Sequence, residues 1–155
     1  EMHHASCLAG LAFSNAGLGL NHGMAHTLGA HFHIPHGRAN GILLPYVMAF
    51  NAGCHEQLTP VAARYARIAR VLRLDGPSIR QSAFSVVRTT KQYMKQLHIP
   101  DSIEAAGVSR EDFDAVLDEM VEAAYQDACT KTNPRACSKE DIRGVFLRAY
   151  TGRLI

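Results

Sequence analysis

Glycine and proline divide this chain into segments of helical length, and this feature limits the fold more than any other. The breaks fall at Gly17 and Gly19, Ile34-Pro35, Gly53, Asp75-Gly76-Pro77, Ile99-Pro100-Asp101 and Asn133-Pro134. Proline cannot continue a helical hydrogen-bond ladder, and glycine adopts the left-handed conformation that ends many helices. Helix formers fill the intervals, and no interval shows the alternation of a half-buried strand. The chain is therefore predicted to be all-α.

Seven intervals are predicted to be helices, which gives a bundle of six or seven helices. They are 3–18, 20–31, Pro35 to about Asn51, 60–73, 78–97, 109–127, and Ser138 to about Tyr150. The first is expected to be buried, since it is uncharged and largely apolar. Ser109 with Asp112, and Ser138 with Asp141, have capping-box spacing. Residues 130–136 are expected to form a loop because they contain Asn133-Pro134.

The segment 60–73 has the spacing of an amphipathic helix. Its apolar face is expected to contain Val61, Tyr65, Ile68, Ala69 and Leu72, and its exposed stripe Arg64, Arg67, Arg70 and Arg73. No linker divides the chain, so residues 1–155 are expected to form a single domain.

Composition excludes several classes of protein. The net charge of +2 gives no electrostatic footprint for a nucleic acid or an anionic membrane. Ala5–Asn21 is short for a membrane span and contains Ser, Asn and glycine. No signal peptide is visible, so a cytoplasmic location is expected.

The four cysteines form no C-x-x-C pair and are expected to be reduced thiols, with a Cys129–Cys137 disulfide as the alternative.

Histidine is the compositional outlier. Five of the nine histidines lie between His22 and His36. On a helix, His22 and His26 are one turn apart on the same face, so both imidazoles can reach one divalent metal. The alternative is a set of histidines that bind nothing. Spacing favours His22 with His26 as ligands and does not select His36, which follows Pro35 in the first turn of a helix.

Longer motifs extend over the same region and continue near the end of the chain. They are Ala12-Phe13-Ser-Asn-Ala-Gly-Leu-Gly19, His22-Gly-Met-Ala-His26, His33-Ile-Pro-His36-Gly37, Ala39-Asn40, Leu43-Leu44-Pro45 and Asp127-Ala-Cys129-Thr-Lys-Thr-Asn133-Pro-Arg135. In this order they resemble the iron-containing alcohol dehydrogenases. The resemblance implies the helical, metal-binding C-terminal domain of an enzyme whose N-terminal domain is an α/β dinucleotide-binding domain.

The resemblance also implies roles for individual residues. It makes His22 and His36 metal ligands, and it places His26 beside the site, near the nicotinamide, as a residue for proton transfer. Phe13 and Cys129 match positions near the substrate pocket. Two further ligands, an Asp and a His spaced Asp-x-x-x-His, are expected upstream of Glu1, together with the nucleotide-binding domain. Thr27 and His31 depart from the family pattern, and His31 is expected to add a polar group near the site.

The implied reaction is hydride transfer between a primary alcohol and NAD(P), with Fe²⁺, or alternatively Zn²⁺, as the Lewis acid on the alcohol oxygen. The chain is expected to be a fragment of such an enzyme and inactive alone. Its partners would be the substrate, the absent domain and a further copy in a homo-oligomer. The alternatives are a zinc-dependent glycerol-dehydrogenase-type enzyme and a stand-alone, non-catalytic helical interaction module.

Overall fold

Seven α-helices make up the fold, and the computed structural model describes residues 1–154. They are α1 (Met2–Ala16), α2 (Gly19–Phe32), α3 (His36–Ala52), α4 (Val61–Val71), α5 (Ile79–Gln96), α6 (Arg110–Gln126) and α7 (Lys139–Thr151). No strand occurs among these residues, which confirms the predicted all-α bundle. None of the helices in residues 1–154 is both long and apolar enough to cross a bilayer.

Most helices begin or end where the sequence contains a glycine, a proline or a capping side chain. Gly53 ends α3 with φ 70°, a left-handed conformation that glycine adopts without a steric penalty. Ser138 and Asp141 form a complete capping box at the start of α7. Ser109 accepts a hydrogen bond from the Asp112 N–H at the start of α6, and its own hydroxyl donates to the Asp112 carboxylate. The predicted loop at 130–136 contains a short 3-10 helix, Thr130–Thr132.

The main core lies where α2, α3, α6 and α7 meet. Its largest fully buried side chains include Leu20, Met24, Leu28, Phe113 and Phe146. A smaller cluster joins the second half of α3 to α4 and α5 through Met48, Ala69 and Val87. The helix carrying His22 and His26 is therefore anchored by the main core along its buried face.

Two predictions about burial were wrong. Helix α1 contains no buried residue, and Leu8 and Leu11 are 67% and 62% exposed. No other helix of residues 1–154 covers these two leucines. Ile68 of α4 and Leu72, the residue after the helix, are also exposed, because the helix packs through Val61, Ala62, Ala69 and the partly buried Tyr65. The four arginines beside them are exposed as predicted.

Candidate metal centre

Three histidines converge where α2 meets the first turn of α3. The ring centroids of His22 and His36 are 5.2 Å apart, and those of His26 and His36 are 5.5 Å apart with the planes nearly parallel. The His22 and His26 centroids are 6.3 Å apart. An imidazole nitrogen binds zinc at about 2.1 Å, which leaves two rings on one ion roughly 5 Å apart. The His22–His36 separation thus suits a shared divalent ion.

The protonation chemistry of His22 also suits a metal ligand. Burial is the main reason that its pKa lies below the usual range, and the neighbouring His36 and His26 lower that pKa further. Its Nδ1 is buried without a hydrogen-bond partner; the Leu18 carbonyl raises the pKa slightly but makes no hydrogen bond of ordinary geometry with Nδ1. A neutral imidazole is the form that binds metals. The observed donors therefore fit a metal such as iron or zinc.

His36 is oriented by neighbouring amides. Asn40 Nδ2 lies 3.1 Å from His36 Nε2 and 3.0 Å from the His36 carbonyl oxygen. Both contacts come from one amide group and hold the His36 ring beside α3. Asn21 in turn donates to Asn40 Oδ1 at 2.8 Å. These amides link the first turns of α2 and α3, the two turns that carry His22 and His36.

His26 has a different partner. Its Nδ1 is 2.8 Å from Asp127 Oδ2, and Asp127 Oδ1 accepts a hydrogen bond from the Cys129 N–H at 2.7 Å. Burial opposes ionisation of Asp127, but these hydrogen bonds outweigh burial and lower the pKa of the carboxyl. Burial and the nearby Asp127 raise the pKa of the Cys129 thiol.

The donor atoms of His26, Asp127 and Cys129 lie within 4.8 Å of one another, which is the spacing of a metal site. Three observations argue that they do not form one. His26 and Asp127 are bonded directly to each other, Asp127 already accepts a backbone N–H, and the thiol favours its protonated form. Metal ligation by cysteine requires the thiolate.

Residues 127–135, here called the clamp loop, hold the site from the side of α6. Thr132 Oγ accepts the Gly19 N–H at 3.1 Å, and Asn133 Oδ1 accepts the Leu20 N–H at 3.2 Å. The first N–H groups of a helix have no partner within the helix, so these side chains act as its cap. A methyl group at Gly23 would overlap Thr130 Oγ. Glycine at position 23 thus lets the loop pack directly on α2.

The structure brings together all five residues selected from the sequence. The Phe13 ring centroid is 6.5 Å from that of His22, and Cys129 contacts Asp127, which is bonded to His26. All four cysteines are free, as expected. His31 points toward Glu119 of α6, with 3.9 Å between Nε2 and Oε1, and Thr27 is buried and donates to the Met24 carbonyl.

Asp127 was not given a role from the sequence, although it begins a recognised motif. Its partner His26 is 101 positions away, so only the tertiary structure reveals their contact. Besides Asp127, no carboxylate in residues 1–154 is hydrogen bonded to the three histidines. The expected Asp-x-x-x-His pair has no counterpart within the described cluster.

Comparisons with known proteins agree with the family that the sequence motifs resemble. The model of the Fe-containing alcohol dehydrogenase family, C-terminal region, matches residues 1–150. The chain belongs to this family. Among iron-containing alcohol dehydrogenase relatives, the NADPH-dependent butanol dehydrogenase of Clostridium saccharobutylicum is 41% identical over 98% of this chain. The 1-propanol dehydrogenase of Salmonella typhimurium is 41% identical over 92% of it.

Solved structures of the iron-containing alcohol dehydrogenase family have the same fold. The iron-containing alcohol dehydrogenase of Thermococcus thioreducens superposes with a TM-score of 0.83 at 36% identity, covering 97% of this chain and 36% of that one. The chain likewise spans 38% of the length of each of the two curated relatives. The family and the fold of this chain are thus shown.

Proposed function

We propose that this chain is the metal-binding helical domain of a nicotinamide-dependent alcohol dehydrogenase that interconverts a primary alcohol and its aldehyde. The observation that carries this proposal is the convergence of His22, His26 and His36 at centroid separations of 5.2 to 6.3 Å. Relatives named as butanol and 1-propanol dehydrogenases support the substrate class.

In the proposed site, His22 and His36 hold a divalent ion, Fe²⁺ or alternatively Zn²⁺. When bound, the ion supplies Lewis-acid activation of the alcohol oxygen. Two imidazoles are fewer than the three or four protein ligands usual for zinc. We therefore propose that an Asp and a His outside residues 1–155 complete the site, and that this chain alone binds the ion weakly.

His26 is proposed to receive the alcohol proton at Nε2 and to lie near the nicotinamide of NAD(P). Its Nδ1 is bonded to Asp127, so Nε2 is the ring nitrogen left for this role. Imidazole suits proton transfer because it gains and loses a proton near neutral pH. Phe13, 45% exposed beside His22, and Cys129 are proposed to line the substrate pocket.

The exposed apolar side chains of α1 support a covering partner. Leu8, Leu11 and Phe13 lie on a helix with no buried residue, and exposed apolar surface commonly marks an interface. We propose that a nucleotide-binding domain covers part of α1 in a cytoplasmic enzyme, with homo-oligomerisation as the competing use of this surface. A stand-alone interaction module would leave these apolar side chains of α1 exposed to water, so the exposed helix favours a domain of a larger enzyme.

Anaerobic titration of the chain with Fe²⁺ and with Zn²⁺ tests the metal ligands. His22→Ala and His36→Ala are expected to abolish the weak binding, whereas His26→Ala should retain it. Because histidine sites in general bind Zn²⁺ more tightly than Fe²⁺, the ligands are tested by comparing the variants with the unchanged chain for each metal separately. Equal binding by all three variants and the unchanged chain would refute the ligand assignment.

A second experiment tests the reaction in a polypeptide that joins this domain to its nucleotide-binding domain. Here His26→Ala should retain the metal and lower turnover with a primary alcohol by roughly 10²- to 10⁴-fold, the usual contribution of general acid–base catalysis. Loss of metal from this variant would instead identify His26 as a ligand.

A further inference from the structure

We propose that Asp127 is a positioning residue, which fixes the His26 ring with its proton on Nδ1 and keeps Nε2 free to accept a proton. This inference deepens the proposed function and rests on it only for the identity of the proton that Nε2 receives. The orientation and tautomer of His26 follow from contacts within this chain.

The first contact determines the tautomer. Asp127 Oδ2 lies 2.8 Å from His26 Nδ1. An ionised carboxylate can only accept hydrogen bonds, so Nδ1 has to be the protonated nitrogen of a neutral ring. The other nitrogen, Nε2, then has a free lone pair.

The second contact fixes the carboxylate itself. Asp127 Oδ1 accepts the Cys129 N–H at 2.7 Å, so both oxygens have defined partners. This backbone group cannot change from donor to acceptor. The atom that faces the Cys129 N–H must therefore be a hydrogen-bond acceptor, whether residue 127 is Asp or Asn.

The clamp loop connects this carboxylate to the helix that carries His26. Thr130 Oγ donates to the Ala124 carbonyl at 2.7 Å, Thr132 Oγ accepts the Gly19 N–H at 3.1 Å, and Gly23 permits the close approach of Thr130. The loop is bonded to the start of α2 through Thr132 and to the end of α6 through Thr130. The pair is thus held by the same contacts that cap α2.

These contacts make the Asp127→Asn variant informative. The amide oxygen of the substituted side chain has to face the Cys129 N–H, which places the amide NH₂ toward His26 Nδ1. A donor at that position requires an unprotonated Nδ1, so the ring proton moves to Nε2. The substitution should therefore reverse the His26 tautomer with little change in side-chain shape, as expected for a group that orients a histidine.

Long-range ¹H–¹⁵N NMR of the chain labelled in histidine, recorded at about pH 8 where an ordinary imidazole is neutral, measures the tautomer directly. We expect a protonated Nδ1 and an unprotonated Nε2 for His26 in the unchanged chain, and the reverse in Asp127→Asn. The control is Asp118→Asn, which removes the same charge from an exposed position of α6 and should leave the His26 spectrum unchanged.

Two results would overturn the proposal. One is a protonated Nε2 in the unchanged chain, a result that needs no variant to fold. The other is a folded Asp127→Asn chain whose His26 retains the original tautomer. Asp127→Ala should give a mixture of tautomers with a native circular dichroism spectrum. These spectra are independent of metal binding by His22 and His36, so a failure of the proposed function would be recognised separately.

Discussion

Asn133 Oδ1 accepts a hydrogen bond from the backbone N–H of Leu20 at 3.2 Å, across 113 positions of sequence. The same amide group bonds to Asn51 of α3: Asn133 Nδ2 donates to Asn51 Oδ1 at 2.8 Å, and Asn51 Nδ2 lies 3.2 Å from Asn133 Oδ1. One side chain of the clamp loop thus joins the start of α2 to α3, the two helices that carry the histidines.

Replacing Asn133 with Ala should lower the free energy of unfolding by about 1–3 kcal/mol, because the buried Asn51 amide and the Leu20 N–H lose partners. Urea denaturation measures the change. A double-mutant cycle with Asn51→Ala should show that the two losses are not additive. The control is Asn15→Ala on exposed α1; a cost equal to that of Asn133→Ala would contradict the bridging role.

Gly23→Ala should destabilise the chain by about 1–3 kcal/mol, the usual cost of overpacking a well-packed contact. The added methyl group would overlap Thr130 Oγ, whose hydrogen bond to Ala124 anchors the loop. Gly10→Ala is the matched control, since a methyl group there meets no atom within 4 Å. It should be neutral or stabilise the chain by up to about 1 kcal/mol. Thermal unfolding of both variants distinguishes the two cases, and equal effects would refute the close-packing argument.

The stability of the chain should fall as pH decreases below about 6.5, the ordinary pKa of histidine. Burial first, and then the nearby His36 and His26, lower the pKa of folded His22. The unfolded chain therefore binds a proton to this side chain more readily than the folded chain, and the stability present above the unfolded pKa is lost as pH falls toward the folded pKa.

The contribution of His22 can be isolated by comparing the unchanged chain with His22→Gln between pH 7.5 and 5. The variant should show a shallower decline in the free energy of unfolding. His55, whose pKa is also lowered, chiefly by burial, remains in both chains and cancels in the comparison. The exposed position His3 provides the control substitution, His3→Gln. Identical slopes for His22→Gln and the unchanged chain would contradict the assigned shift.

Replacing Leu8 and Leu11 together with Ser should reduce self-association of the isolated chain at high concentration. Both side chains are mostly exposed, so the free energy of unfolding should change by no more than about 0.5 kcal/mol per site. Sedimentation velocity measures association, and Leu97→Ser, at a similarly exposed position, controls for general surface hydrophobicity. If association persists in the double variant and falls in Leu97→Ser, the surface that self-associates does not lie on α1.

The boundaries of most helices were predictable because the relevant chemistry is local. Pro35, Gly53 and Ser138 act through their own backbone torsions or through partners a few residues away. The exposure of α1 was not predictable in this way. An apolar helix has the same sequence pattern whether a neighbouring element covers it or not, so Leu8 and Leu11 gave no indication of their surroundings.

The histidine site also combines features that were predictable from local sequence with features that were not. The local spacing of His22 and His26 indicated a metal-binding face, and only longer motifs resembling a known family selected His36. In the structure His22 is nearer to His36 than to His26. Helical periodicity describes neighbours within one helix, whereas this proximity depends on how α2 and α3 pack.

The sequence by itself determined the helical content, the ends of most helices, the family and the three histidines at the site. The tertiary structure decided the different environments of these histidines: His22 is partly buried with a lowered pKa, His36 is oriented by Asn40, and His26 is bonded to Asp127. The physical reason is that torsional preferences and caps act over a few residues, whereas desolvation and the contacts of the clamp loop arise only after packing brings distant segments together.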